Sequence, residues 1–379
     1  MSKPKCKYCG SDNIRKNGNR YTQNGKQQRY ICAKCGRDVI VDNVDSINHV
    51  IDSSKINKDA VLKFLKSKPS SIEDLCNQFN VSPRTINDVL VELGEDCYNL
   101  VVANDKVHLN LDPPVGGHST LDSRHWHGSK FKLGFVSDSH LCSDYAREDF
   151  LNMLYDIFEE EGITDVYHAG NWIDGEARFN KNNIFVHGMT NQIQYAVENY
   201  PYREGITTHF ISGDDHEGWY SQREGINIGE YLQLKREQSG KFDMKYLGYV
   251  EADIELNPEE FRERQFLRIM HPGGGSAYAI SYKSQKIVEA TQPGEKPALL
   301  VIGHYHKALF HPIRTIYTIQ VPSCQDQTPF LRKLGIESQV GGVICTFYRD
   351  DDGIINRIMP DFIMSFNKQF YIGKDKYWK

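Results

Sequence analysis

The amino-acid sequence predicts an α/β fold from Phe131 onward, preceded by a small metal-closed module and a compact helical one. Three observations carry this. Beyond residue 131, apolar strands alternate with helical stretches, and five of those strands run out into Asp, Asn or His. Two CxxC pairs stand near the N-terminus, and between these regions apolar residues recur at helical spacing.

At 379 residues the chain exceeds what a single core usually holds, so two or three domains are expected. It is 39% hydrophobic and 25% charged, with a net charge of -5. No apolar run approaches the roughly 20 residues of a membrane span, and the opening MSKPKCKYCGSDN lacks the apolar core of a secretory signal. Of nine cysteines, four form the two tight pairs and the rest are scattered. That pattern favours thiolate metal ligands in a reducing compartment, so a cytoplasmic location with no membrane association is expected. Residues 1–45 hold ten Lys or Arg against four Asp, whereas residues 46–111 hold seven basic and nine acidic residues. A basic head on an acidic body points to a polyanionic partner for the head.

Residues 1–45 read as a zinc ribbon. Cys6 and Cys9 form one pair and Cys32 and Cys35 the other, with twenty-two residues between them. This is the donor set of a tetrahedral structural zinc, which supplies the folding energy of so small a unit. Asn17-Gly18 and Asn24-Gly25 are turn signals, and Gln28 to Ile31 reads as a strand. The stretch resembles the ribbons at the front of transposases and other DNA-handling proteins. A purely structural or protein-docking knob is the competing reading.

Residues 56–111 read as a winged helix-turn-helix. Ala60, Val61, Phe64 and Leu65 form one helical stripe. A second helix to Phe79 opens on a capping box expected from Ser70 and Glu73. Ser82-Pro83 then starts a third helix through a cap and a proline at its first position. Tyr98 to Val102 and Lys106 to Leu109 flank Ala103-Asn104-Asp105 as a two-stranded wing. In such modules the N-terminal residues of the recognition helix meet base edges, which makes Arg84, Thr85 and Asn87 the candidate DNA readers. Against this stands the segment's net acidity, because phosphate contacts dominate affinity. Protein docking is the alternative.

Residues 112–130, rich in Pro, Gly and Ser, read as a linker, and His118, His125 and His127 within it as solvated. The domain spanning 131–379 follows. Its strands end on Asp138 and His140, on Gly170-Asn171, on Asp215 and His216, on His271, and on Gly303-His304-Tyr305-His306. Ligand sites gather at the carboxyl ends of such strands, so the five tips are expected to converge. Mixed Asp and His donors suit Mn, Fe or Zn, whereas Mg prefers oxygen. Two such cations clamp a phosphate ester and acidify water into a nucleophile. His168 and His209 read as core residues, and Asp174 and Asp214 as spare carboxylates near the site.

The order DxH, G-[D/N]-x-x-D, G-x-[N/D]-H-[D/E], an isolated His and GHxH resembles the calcineurin-like metallophosphoesterases over residues 131–350, and the run His271-Pro-Gly-Gly-Gly-Ser-Ala-Tyr is similar to phage and bacterial members. The resemblance implies a β-sandwich flanked by helices and two divalent cations, Mn foremost with Zn, Fe or Mg as alternatives. It implies that Asp138, His140 and His306 hold one metal and that His271 and His304 help hold the second. It also implies that His216 contacts the scissile phosphate, and it leaves a homodimer open. Two positions depart from the pattern: Asn171 stands where the family has its bridging Asp, and Asp215 where it has Asn. The carboxylate count is unchanged, which reads as a compensating exchange with a weaker amide ligand at Asn171.

The reading that joins these parts is a metal-dependent phosphodiesterase. It is a DNA nuclease that its N-terminal modules place on DNA, working through a metal-bound hydroxide with Asp215 and His216 in the reaction centre. The alternatives are a phosphatase or small-nucleotide phosphodiesterase, and a DNA-binding regulatory protein with an inactive phosphoesterase domain.

Overall fold

A computed structural model describes residues 6, 9, 11–22, 25–40, 56–120, 129–256, 262–275 and 277–365. The chain divides into two compact units, Met1–Phe64 with Ser71–Val89, and Leu65–Ser70 with Leu90–Lys379. Among the described residues no helix is long and apolar enough to cross a membrane. The histidines at 125 and 127 lie outside the described residues.

In the smaller unit, β1 (Ile14–Thr22), β2 (Gly25–Cys32) and β3 (Asp38–Ile40) form an antiparallel sheet. Asn17-Gly18 does not turn the chain; the strand continues through it with a register shift between Lys16 and Asn19. One extra residue absorbed as a bulge keeps the ladder running. The strand expected at Gln28 to Ile31 is the middle of β2.

Three helices follow, α1 (Lys58–Ser67), α2 (Ile72–Phe79) and α3 (Pro83–Glu95). The capping box of α2 is one residue later than expected. Ser71 Oγ accepts the Asp74 N–H at 3.1 Å, and Asp74 returns the bond to the Ser71 N–H at 3.1 Å. Ser70 cannot serve, because it is buried and its backbone pairs with Val107. Ser82 caps α3 by accepting the Thr85 N–H at 3.1 Å. The hairpin β4 (Leu100–Ala103) and β5 (Lys106–Leu109) stands where the wing is expected. It belongs to the larger unit, where the Asn99 N–H donates to Gly225 O at 2.7 Å and the Asn227 N–H to Cys97 O at 2.8 Å.

The linker expected over 112–130 is corrected at its centre. β6 (His118–Thr120) pairs in parallel with β11 (Glu251–Glu255) as an edge strand. Gly117 makes this possible, since a Cβ there would stand 2.0 Å from Leu247 O.

The rest is the β-sandwich flanked by helices that the resemblance implies. One six-stranded sheet runs β10 (Met244–Tyr249), β9 (Thr207–Ser212), β8 (Asp165–His168), β7 (Lys130–Val136), β16 (Gly341–Arg349) and β17 (Ile355–Met364). The other runs β14 (Leu309–Ile313), β15 (Ile316–Gln320), β13 (Leu299–Ile302), β12 (Phe266–Met270), β11 and β6. Their facing sides share one core: Leu133, Phe135 and Val343 from the first meet Ile254, Leu267 and Val301 from the second. Each such side chain, fully buried, contributes about 1.5–3 kcal/mol. The helices α4 (Glu148–Glu160), α5 (Met189–Asn199) and α7 (Ile228–Gln238) cover the outer face of the first sheet through Leu154, Phe158, Ile193 and Leu232. α6 (Gly218–Glu224) adds Tyr220 to that layer. On the other side α8 (Tyr282–Ala290) packs Val288 on Leu300 and Ile302, and the short α9 (Pro329–Lys333) lies between β15 and β16 in sequence. His168 and His209 take the structural places expected. His168 bonds Ser139 Oγ at 2.9 Å, and burial pulls its pKa down to about 3. His209 bonds Asp165 at 2.8 Å and stacks on Tyr167.

Candidate metal centre

The five strand tips meet, and they come from both sheets. β7, β8 and β9 are parallel neighbours in one sheet, and β12 and β13 are parallel neighbours in the other. Aligned strands deliver their carboxyl ends to the same rim of the sandwich. The turns leaving those strands are strained: Asp138, His140, Asn171, His216, His304 and His306 all have φ between 46° and 75°. Non-glycine residues rarely adopt that region, and such strain concentrates where surrounding structure holds side chains for function.

Three groups result: His140 with Asp174 and His216, and two donor groups around Asp138, the first Asp138, His140 and His306 and the second Asp215, His271 and His304. Asp138 sits between them. Its Oδ2 is satisfied by the His304 N–H at 2.9 Å and the Ser137 hydroxyl at 2.5 Å. Its Oδ1 faces His306 Nε2 at 3.3 Å, His140 Nε2 at 3.7 Å and His271 Nε2 at 3.8 Å, one donor group on each side. In the second group, Asp215 Oδ1 is 3.6 Å from His271 Nε2 and Oδ2 is 3.5 Å from His304 Nδ1.

Each imidazole has its proton placed by the nitrogen that points away. His140 Nδ1 donates to Asp174 Oδ1 at 2.9 Å, and His271 Nδ1 donates to Ala169 O at 2.6 Å. Ser338 gives its own proton to Gln325 O, so it accepts from His306 Nδ1 at 3.1 Å. His304 Nε2 donates to Gly274 O at 2.7 Å. The inward nitrogens are therefore lone-pair donors, the arrangement metal-ligating histidines use. His140 Nε2, His271 Nε2, Asp215 Oδ1 and Asn171 Oδ1 are buried with no hydrogen-bond partner. Four orphaned buried acceptors around one carboxylate are costly unless cations satisfy them, so the donor set fits two divalent ions.

Asn171 occupies the junction. Its amide donates to Asp138 Oδ1 at 3.4 Å and its own Oδ1 is one of the orphans. A Cβ on Gly213 would stand 2.7 Å from Asn171 Oδ1 and 3.1 Å from Asp215 Oδ1, so both oxygens border the same glycine. Glycine is needed again at 170, where φ is 89° and a Cβ would meet His271 Nδ1 at 2.6 Å.

Two residues carry more than their sequence context suggests. The Asp174 carboxylate accepts from His140 and lies 3.3 Å from His216 Nδ1, whose proton goes to the Asp174 backbone oxygen, while Asn180 and Gln325 bond the same carboxylate. Glu217 Oε1 accepts the Asn171 N–H at 2.8 Å and the Gly213 N–H at 2.9 Å, tying the second and third strand tips together. Burial pushes its pKa up to about 7. Spacing puts Glu217 at the last position of the G-x-[N/D]-H-[D/E] motif but does not show this clamp, because its partners are backbone groups. Asp214 joins neither donor group among the described residues. His187 is half-exposed beside Glu176, away from both.

The centre opens into a cavity of about 340 Å³ lined on one side by His140, Asp215, His216, His304 and His306. Its other wall is apolar, with Phe179, Trp219 and Phe330. No local pattern announces that wall, since its members come from segments far apart in the chain.

At the N-terminus, Cys6 Sγ lies 3.6 Å from Cys35 Sγ and Cys9 Sγ 3.6 Å from Cys32 Sγ, and all four sulfurs cluster. Tetrahedral zinc–thiolate bonds place sulfurs about 3.8 Å apart, so these thiols fit a zinc ion. The Cys35 and Lys34 amides aimed at Cys32 pull its thiol down to about 6. Of the candidate DNA readers, Arg84 and Asn87 are exposed on α3. Thr85 is not: it is buried and its hydroxyl bonds Ser82 Oγ at 2.8 Å, because the helix cap turns it inward.

No protein-family model matches the chain, and no curated protein matches it. Solved structures with some likeness include an archaeal phosphodiesterase (13% identity, 62% of this chain and 100% of that one, TM-score 0.32). A predicted phosphoesterase of Streptococcus pneumoniae (14%, 62% and 99%, TM-score 0.28) and zinc-complexed Vps29 of Entamoeba histolytica (11%, 62% and 99%, TM-score 0.29) are others. At scores this low the chemistry has to be read from the centre itself.

Proposed function

We propose that the chain is a two-metal phosphodiesterase that cuts DNA and is placed on it by the N-terminal modules. The observation that supports this most is the pair of His/carboxylate donor groups on either side of Asp138 Oδ1, with orphaned acceptors aimed between them. Cations bound there would supply Lewis acidity toward a phosphate and a nucleophile at neutral pH; the mixed donors suit Mn, Fe or Zn, and the resemblance puts Mn foremost. The chain's own residues do the rest. Asp138, His140 and His306 would hold one ion, and Asp215, His271 and His304 the other, with Asn171 at the junction. His216 donates its Nδ1 proton to Asp174 O at 2.8 Å. Burial opposes its charge, but the Asp174 and Asp215 carboxylates lift its pKa to about 10, so the imidazolium keeps an Nε2 proton to give to a departing oxygen and is left as the neutral ring. Arg84, Asn87 and the basic ribbon are the residues offered to the DNA backbone.

The test supplies Mn²⁺ to the full chain with bis-p-nitrophenyl phosphate, p-nitrophenyl phosphate and labelled single- and double-stranded DNA. Turnover of the diester and DNA without the monoester is expected. Monoester turnover alone would redirect the reading to a phosphatase, and inactivity on every substrate would leave a binding protein. Removing residues 1–55 should weaken DNA cutting and spare the small diester; equal loss on both refutes placement by the ribbon.

A further inference from the structure

We infer that the apolar wall of the cavity, Phe179, Trp219 and Phe330, receives one unpaired nucleobase next to the scissile phosphate. The substrate class is then a nucleic-acid strand or end whose base is out of the duplex stack. This rests on the phosphodiesterase reading and specifies what that centre takes.

The rings form a continuous surface that runs into the site. Phe179 stacks on Phe330 with centroids 4.6 Å apart and planes at 25°, and it meets Trp219 edge-on at 5.6 Å. Trp219 in turn stacks on His216 at 5.1 Å, the histidine beside the donor groups. Phe179 and Phe330 are 42% and 38% exposed and both line the cavity. Exposed aromatics grouped beside a polar centre suit a flat ligand with a π-face.

Charge narrows the ligand. No Lys or Arg lines this cavity among the described residues. A polyphosphate chain or the paired backbones of a duplex would find no cation on the wall. A neutral ring joined to a single phosphate at the metal centre fits both walls. A cation does stand at the next step. An adjoining cavity, which shares Tyr305, Leu334 and Ile336 with the first, is lined by Lys283 and Tyr278. Lys283 Nζ lies 3.7 Å from where a Cβ on Gly274 would stand, and Gly274 also lines the first cavity. A base on the aromatic wall, a phosphate at the donor groups and a cation in the adjoining cavity are the contacts one strand of nucleotides would make. Proteins that hold single strands combine stacking rings with cations in this way.

The competing account is that Phe179 and Phe330 merely pack the segments that carry them against each other. Two measurements on the full chain separate the accounts. The first is binding, by fluorescence anisotropy without added metal, of a labelled thymidine trinucleotide and of the same backbone lacking every base. Binding of the thymidine form about tenfold tighter is expected, with Phe179→Ala abolishing that difference and Phe179→Tyr restoring it. Phe242→Ala, an exposed ring outside the cavity, should leave it intact. Equal binding of the two trimers, or an unchanged ratio in Phe179→Ala, overturns the base slot. The second is Mn²⁺-dependent turnover of bis-p-nitrophenyl phosphate, which tests the chemistry separately. A chain that turns over without base discrimination loses only the slot; one that discriminates without turnover keeps the slot and loses the phosphodiesterase reading.

Discussion

At Asn171 and Asp215 the two departures from the family pattern border the same glycine, Gly213, as a compensating exchange requires. Asp215 contacts both histidines of the second donor group, while the Asn171 amide is left with an orphaned oxygen between the groups. Moving the charge from one to the other should therefore be tolerated only if both change. Asp215→Asn alone is expected to lower Mn²⁺ occupancy and diester turnover by about 10–100-fold. Asn171→Asp alone crowds a third carboxylate against Asp138 and Asp215 and should also impair the enzyme. Combining the two should return metal content, read by elemental analysis, and turnover to near the starting level. A double variant as impaired as Asp215→Asn would sink the exchange.

The element that decides how the chain can be cut is the β4–β5 hairpin. It carries the strands of a wing but belongs to the larger unit, where Gly225 receives it. Gly225 has φ 68°, and a Cβ there would strike Leu109 at 2.5 Å. Removal of residues 1–55 should leave thermal unfolding of the larger unit unchanged, whereas removal of 1–111 exposes Ile226 and Gly225 and should lower its midpoint by several degrees. Calorimetry or dichroism reads both. Gly225→Ala, strained and clashing, is expected to destabilise the chain by about 1–3 kcal/mol in urea unfolding. Unequal loss in the two truncations is the expected sign that the hairpin is part of the body, and equal midpoints would contradict it.

For the whole molecule the expected inventory is three metals per chain, one zinc on thiolates and two divalent ions on the mixed centre. Cys6→Ser or Cys9→Ser should remove the zinc and melt the ribbon while leaving small-diester turnover intact, because zinc binding is the ribbon's folding energy. Loss of both together would mean that the two sites are not independent. Much of this was legible in the sequence. Cysteine spacing announced the sulfur cluster. Apolar runs ending in polar residues announced the strands β7, β8, β9, β12 and β13, and a period of 3.6 announced the helix α4, since burial writes itself into local residue order. The donors Asp138, His140, His271, His304 and His306 were legible because each follows a strand. Only the tertiary structure decided that those strands belong to two sheets, that residues 118–120 add an edge strand, which groups the motif carboxylates Asp174 and Glu217 bond, and that the Phe179–Trp219–Phe330 wall completes the site. These depend on contacts between segments distant in the chain and on backbone partners, and neither leaves a periodic mark in the residues themselves.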